Sequence, residues 1–302
     1  MLKVTLVGTG GTMPLKKRWL SSCFMTFNGH AVLIDCGEGT QIALKETGNK
    51  FKGVDVICIT HFHADHISGL PGFLLTMSNE GREEPVTVFG PKGIESYVRS
   101  LCVIAPNLPF ELHFLEYRPE ARVNIDQLEI RAFPLVHSIR CIGFTAELQR
   151  AGRFDVDKAK LNGVPVRLWK HLQKYETIEQ DGVLYTPDMV LGERRRGIKV
   201  TYCTDTRPTE SIVRNAAGAD LLICEGMFGD EEKLPRAKEA GHMMFSEAAR
   251  LARSAQAERL WLTHYSPSMT EPELFIDNAL SIFPKAELGF DGKTEDLNFR
   301  DE

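Results

Sequence analysis

The stretch ITHFHADHISGL, residues 59–70, decides how this chain is read. It places His61, His63, Asp65 and His66 within six residues, directly after the apolar run VDVICI (54–59). Such a run reads as a buried strand, and a strand delivers the residues that follow it to its C-terminal end. A loop there can turn several side chains towards one point. Three imidazoles and a carboxylate so close together are borderline N/O donors of the kind that hold zinc. Single histidines are usually structural, but four ligand-type residues at HxHxDH spacing are read here as a metal site.

Working outward, three more ligand-type residues follow apolar β-type runs. His137 comes after LEIRAFPLV, Asp205 after KVTYCT and His264 after RLWLT. Each would reach the same sheet edge, so the chain can supply the ligands of a two-metal centre. Glu225 ends the run DLLIC, and His242, in GHMMFSEAA, opens a helical run. His30, His113 and His171 lack this strand-end placement; His30 and His113 are taken as incidental, and His171 as part of the basic stretch that begins at Arg150. Gly8, Gly10 and Gly11 follow the first strand but open no helix and do not complete a dinucleotide-binding loop. They are read as letting the chain pass close to the metal site.

The remainder is an ordinary globular composition. The chain has 302 residues, 43% hydrophobic and 25% charged, with a net charge of −5. This excludes a disordered chain and argues against wholesale coating of nucleic acid. No apolar run approaches the roughly 18 residues of a membrane span, so no membrane partner is expected. The N-terminal MLKVTLVGTGG reads as a strand rather than a secretory signal. Seven scattered cysteines without a CxxC pair make no disulfide framework, and a cytoplasmic location is expected. Strand-like runs dominate the first half and strand–helix alternation the second, which predicts an α/β (α+β) protein with two sheets sandwiched by helices. A last helix is expected over about residues 271–283.

One segment stands apart. From Arg150 to about Gly197 the hydrophobic periodicity weakens and basic residues gather, among them Lys158, Lys160, Arg167 and Lys170. In an acidic protein this local reversal of sign is the footprint of phosphate binding, unless it is a solvated surface.

These motifs are similar to those of the metallo-β-lactamase superfamily, over essentially the whole chain. Within it, DCGEGTQ (35–41), TDTRP (204–208), Gly241–Met243, LTHYSP (262–267) and Asp291–Gly292 resemble the ribonuclease Z family of tRNA 3′-processing endonucleases. The resemblance implies one αββα domain over 1–302 with an inserted flexible arm over 150–196 that grips precursor tRNA. It implies two zinc ions per subunit, with manganese or magnesium as substitutes. His61, His63 and His137 would hold one, Asp65, His66 and His264 the other, and Asp205 would bridge them. Asp65 would orient and deprotonate the attacking water. His242 would stabilise charge or protonate the leaving 3′-oxygen, with Glu225 orienting it. Lys16 and Arg18 match the family's basic loop, with Trp19 in place of the usual Asn, and Lys158, Lys160, Arg167 and Lys170 lie in the arm. The family also implies a homodimer. After His264 the usual Arg-Tyr is Ser268-Met269, and the arm keeps only one Gly-Pro element, GVP (163–165). These departures bear on substrate more than on chemistry. Two other readings stand beside this one: a phosphodiesterase of the same fold acting on a small or cyclic nucleotide, and a non-catalytic RNA-binding relative.

Overall fold

The computed structural model describes residues 1–174 and 176–300, which fall into two compact units. The first comprises Met1–Glu147 and Lys199–Asn298; the second is Leu148–Ile198 with the C-terminal Phe299 and Arg300.

Sixteen strands are found among the described residues. In chain order they are β1 (Leu2–Gly8), β2 (Ser22–Phe27), β3 (His30–Ile34), β4 (Val54–Cys58), β5 (Val86–Gly90), β6 (Leu112–Glu116), β7 (Arg122–Ile125) and β8 (Leu128–Val136). Then follow β9 (Arg140–Arg150), β10 (Ile178–Gln180), β11 (Val183–Tyr185), β12 (Arg195–Cys203), β13 (Leu221–Glu225), β14 (Leu260–Thr263), β15 (Ala286–Leu288) and β16 (Thr294–Leu297). The α-helices are α1 (Thr40–Glu46), α2 (Ala64–Ile67), α3 (Leu70–Asn79), α4 (Ile94–Leu101), α5 (Val156–Leu161), α6 (Val166–Gln173), α7 (Glu210–Asn215), α8 (Leu234–Ala240), α9 (Phe245–Ser254) and α10 (Asp277–Leu280).

Two seven-stranded sheets form, ordered β16-β1-β2-β3-β4-β5-β6 and β15-β14-β13-β12-β9-β8-β7. In each, four successive strands run parallel: β3 to β6, and β12 to β15. Parallel strands buried on both faces read as near-continuous apolar runs, as VDVIC and LLICE do here. One face of the first sheet packs Leu33, Ile57 and Val88 under Leu44, Phe73 and Met77 of its helices. The second sheet packs Leu222, Cys224 and Leu262 under Ile212, Phe245 and Ala249. Between the sheets Phe89 meets Phe144 edge-on, ring centroids 5.4 Å apart. The result is four layers, helix–sheet–sheet–helix, as the sequence pattern predicts. In an arrangement of this kind the open end of the sheets, at the C-termini of the parallel strands, is where loops converge.

The expected helix over 271–283 is instead a 3₁₀ turn, Pro272–Phe275, followed by the single turn of α10. The backbone closes i→i+3 bonds at Ala279 and Ile282, and Phe275, Ile276, Leu280, Ile282 and Phe283 seat on the second sheet's core. Packing of this apolar face, not helical continuity, fixes the segment.

The second unit has its own small core of Ala159, Val164, Leu168, Leu172, Val190 and Leu191, with the hairpin β10–β11 beside it. Trp169, which in this basic segment could either stack on a base or pack the segment itself, packs it: its ring lies 5.1 Å from Phe154 and Nε1 donates to the Val164 carbonyl.

Candidate metal centre

Six of the seven predicted ligands lie just past a parallel strand, at the open end of the sheets, while His137 follows β8, which pairs antiparallel with β7. His61 and His63 follow β4, Asp65 and His66 lie on α2, and His137 follows β8. Asp205 follows β12 and His264 follows β14. Asp35, Asp205 and His264 all have left-handed backbones, with φ of 61°, 50° and 58°. Non-glycine residues adopt this conformation at a cost of order 1–3 kcal/mol, which the surrounding fold must overcome, and such strain gathers at functional sites. Here it turns the side chain sharply inward at the strand's end.

Donor atoms of His61, His63, His137 and Asp205 all lie within 4.8 Å of one another, and so do those of Asp65, His66 and His264. His61 Nε2 is 3.0 Å from His63 Nδ1, which is 3.3 Å from His137 Nε2. His66 Nε2 and His264 Nε2 approach to 3.2 Å. Asp205 faces both groups. Its Oδ1 is 3.1 Å from His66 and 3.0 Å from His264, while Oδ2 is 3.7 Å from His61 and 3.8 Å from His137. Asp205 Oδ1 and His264 Nδ1 are nevertheless buried without a hydrogen-bond partner. A buried carboxylate oxygen left unpaired is costly. Five imidazoles and two carboxylates converging on two points, with a lone carboxylate oxygen between them, fit a pair of borderline cations such as zinc.

The outer nitrogens of the histidines are fixed by partners. His66 Nδ1 lies 2.8 Å from the buried Asp35, which also accepts from the amide and hydroxyl of Thr60. His61 Nδ1 is 3.0 Å from Thr60 Oγ1, and His137 Nδ1 donates to the Gly241 carbonyl at 3.2 Å. Such partners set the tautomer and leave Nε2 as the donor to metal. Burial pushes His61 down, and the neighbouring His66 adds to this, so its ring is held neutral as a ligand must be.

Asp65 is fixed by the loop after β1. Its Oδ2 accepts the Thr12 amide at 2.7 Å and lies 3.5 Å from His66 and 3.6 Å from His264. Burial opposes its charge, but the neighbouring His264 and His66 rings outweigh it and hold the carboxyl well below the usual range. The loop can pass so close because Gly11 has no side chain: a Cβ there would meet the His264 ring at 2.6 Å. Of the three glycines read as spacers, Gly11 alone lies against a candidate ligand, while Gly8 and Gly10 make room for the Arg18–Leu20 stretch. Asp291 secures the same loop, accepting from Thr9 Oγ1 at 2.8 Å and the Trp19 amide at 2.6 Å.

His242 borders the same centre, with Nε2 4.0 Å from Asp205 Oδ2. The fully buried Glu225 lies 3.1 Å from His242 Nδ1 and also accepts the amides of Met243 and Thr206. Burial works against the imidazolium, yet the Glu225 charge offsets it and pushes His242 up to about 9. Arg207 adds a second support: its guanidinium donates to the His242 carbonyl and pairs through both arms with Glu247, 2.9 Å on one side. The Arg207 amide donates to Val136, next to His137. One residue thereby ties together the loops bearing Asp205, His137 and His242.

The expected substrate contacts are placed unevenly. Lys16 is exposed, as are Lys160 and Lys170, and none has an ion pair among the described residues. Arg18, by contrast, donates to the Met269 and Thr270 carbonyls at 2.7 and 3.2 Å and lies over the Tyr265 ring. Lys158 donates to the Leu191 carbonyl at 2.7 Å, and Arg167 to Gln180 at 3.3 Å. Both Arg18 and Lys158 thus spend donors on bracing the protein's own backbone. His30, His113 and His171 stay outside the centre, beside Asp55, Glu111 and Glu176 respectively. Asp35, Thr60, Arg207 and Glu247 received no role in the sequence reading. Asp35 carries the same signal as the ligands, an acid just past the apolar run HAVLI.

Comparison with known proteins bears on the identity of this centre. The family described as Anti-Pycsar protein Apyc1 matches residues 2–102, and the Beta-lactamase superfamily domain matches residues 145–265. Ribonuclease Z of Lachnoclostridium phytofermentans is 53% identical over 300 residues, covering 99% of both chains. Ribonuclease Z of Agathobacter rectalis is 51% identical over the full length of both. Among solved structures, the short form of human tRNase Z superposes with a TM-score of 0.71 at 25% identity, covering 98% of this chain and 100% of that one. The metallo-β-lactamase fold protein YhfI of Bacillus subtilis gives 0.70 at 18% identity, covering 97% of this chain and 98% of its own, a likeness of fold.

Proposed function

The chain belongs to the ribonuclease Z family, and from that we propose that it is a metal-dependent endoribonuclease that removes the 3′ trailer from precursor tRNA. The observation that carries this is the donor set of five histidines and two aspartates lying within full-length identity above 50% to ribonucleases Z. Zinc, two ions per subunit, is the metal the donor set favours. Divalent cations bound there supply Lewis acidity towards the scissile phosphate and lower the pKa of an attacking water.

The protein's own residues do the rest. His61, His63 and His137 form one ligand group, Asp65, His66 and His264 the other, and the two oxygens of Asp205 face one group each. Asp65, steadied by the Thr12 amide, takes a proton from the attacking water. His242, oriented and charged by Glu225, gives a proton to the leaving 3′-oxygen. One proton is taken and one given as the new P–O bond forms and the old one breaks, so the tRNA ends in a 3′-hydroxyl and the trailer in a 5′-phosphate.

The basic 150–196 segment acts as the tRNA-binding arm, with the exposed Lys160 and Lys170 its best-placed cations. Lys16 serves the nucleotides near the cut. A homodimer working in the cytoplasm completes this reading, supported by the family resemblance. Incubation of the zinc-loaded protein with a trailer-bearing precursor tRNA, with mapping of the product ends, tests it. Among the described residues no helix is long and apolar enough to cross a membrane.

A further inference from the structure

A small pocket of about 240 Å³ lies beside the metal centre, lined by Phe62, Lys92, Tyr97, Ile139 and Arg140. Its position is fixed by the ligand loops themselves. Phe62 is the residue between His61 and His63, while Ile139 and Arg140 begin two residues past His137. The His63 and His137 rings touch, with centroids 5.1 Å apart, and the Ile142 amide donates to the Thr60 carbonyl at 3.0 Å, so the two loops run side by side.

The pocket's chemistry is distinctive. Phe62 and Tyr97 stack nearly parallel, with centroids 4.0 Å apart and planes 17° apart. Phe62 takes up one face of Tyr97, yet half of the Tyr97 side chain remains exposed on α4. Ile139 adds an exposed apolar surface, and Lys92 and Arg140 are exposed cations without an ion pair among the described residues. An aromatic platform flanked by unpaired cations is the arrangement that takes a single-stranded nucleotide, base on ring and phosphate on cation. Neither the metal ligands nor the arm explains it.

We infer that this pocket is a nucleotide subsite: Tyr97, backed by Phe62, stacks the unpaired base adjoining the scissile phosphate, and Lys92 and Arg140 hold that nucleotide's phosphate. The inference rests on the RNA-cleaving reading above. It gives the enzyme a grip on its substrate at the cut, independent of any grip on the body of the tRNA.

The test compares precursor tRNAs with an intact or an abasic nucleotide on each side of the cleaved bond. Tyr97→Ala is expected to lower kcat/KM on the intact precursor by roughly 5- to 100-fold. Tyr97→Phe, which keeps the ring, retains wild-type rates. For the wild type, one of the two abasic precursors shows a loss of the same size, and on that substrate Tyr97→Ala costs nothing further. Lys92→Ala and Arg140→Ala each flatten the log–log salt dependence of kcat/KM by about 0.7. Wild-type rates for Tyr97→Ala, or an equal penalty for it on intact and both abasic precursors, would overturn the subsite while leaving the tRNA-processing reading intact. Failure of the wild-type enzyme to cut any precursor would overturn that reading and the subsite with it.

Discussion

Glu225 Oε2 lies 3.1 Å from His242 Nδ1, at the end of β13 and wholly out of contact with solvent. That carboxylate also accepts the Met243 amide, so the loop carrying His242 cannot shift without leaving Glu225 unsatisfied. The pair has the form of an oriented acid: one nitrogen held by a buried charge, the other directed at the metal centre.

If His242 acts as the proton donor, activity depends on its imidazolium and is lost as pH rises through its pKa. Glu225 raises that pKa, so removing its charge moves the alkaline limb to lower pH. Glu225→Gln keeps the shape and one hydrogen-bonding oxygen. Its kcat for precursor cleavage should fall by about 10- to 100-fold at pH 8, with a smaller loss near pH 6. A pH profile of kcat reads this directly, and an unmoved alkaline limb would remove Glu225 from the mechanism.

Asp65→Ala removes the proposed base and one ligand together. Cleavage should drop by at least about 10³-fold, while the dissociation constant for precursor tRNA, read by filter binding, changes little. Persistent cleavage would mean that another group takes the proton.

Arg207 joins the loops that bear Asp205, His137 and His242. Breaking its two-armed pair with Glu247 should cost on the order of 2 kcal/mol of stability and lower kcat about tenfold with KM nearly unchanged. Arg207→Lys, which keeps the charge but loses the fork, should recover part of both. Thermal unfolding beside steady-state kinetics separates this from a phosphate contact, whose loss would appear mainly in KM.

Removing the metal should abolish cleavage and loosen the fold. Seven donors, four of them on buried residues, are held together in the fold, so ligand-linked stability of about 4 kcal/mol is expected at a thousandfold excess over the dissociation constant. Chelation should therefore lower the unfolding temperature by several degrees, and readdition of zinc should restore it. A chelated protein that melts unchanged would mean that the donor set does not hold metal in the native state.

Lys160→Ala with Lys170→Ala removes two exposed cations from the 150–196 segment. Precursor processing should weaken, with a shallower salt dependence, far more than hydrolysis of bis(p-nitrophenyl) phosphate. Equal losses on both substrates would remove the segment from tRNA docking.

The candidate centre was legible in the sequence because every ligand-type residue comes after an apolar strand, and these strands end on one side of the two sheets. His137, Asp205 and His264 lie 74, 142 and 201 residues from His63 by their numbers, yet each carries that same local mark. The layered fold followed from the same runs. The inner order of the 150–196 segment was not legible, because α5, α6 and the hairpin bury only a handful of apolar side chains each and leave no strong period. The C-terminal strand β16 was missed for a related reason: TEDL has one apolar residue and is held by edge pairing with β1. Arg207 and Asp35 were visible as letters, but their work lies in hydrogen bonds to distant loops, which no local pattern encodes.

The most direct test of the central claim is the fate of a precursor tRNA with a 3′ trailer, incubated with the zinc-loaded protein and followed by mapping of both product ends. The account predicts one cut just after the discriminator base, with a 3′-hydroxyl on the tRNA and a 5′-phosphate on the trailer, lost on chelation and in Asp65→Ala. An uncut precursor alongside vigorous hydrolysis of a cyclic nucleotide or other small phosphodiester would contradict it.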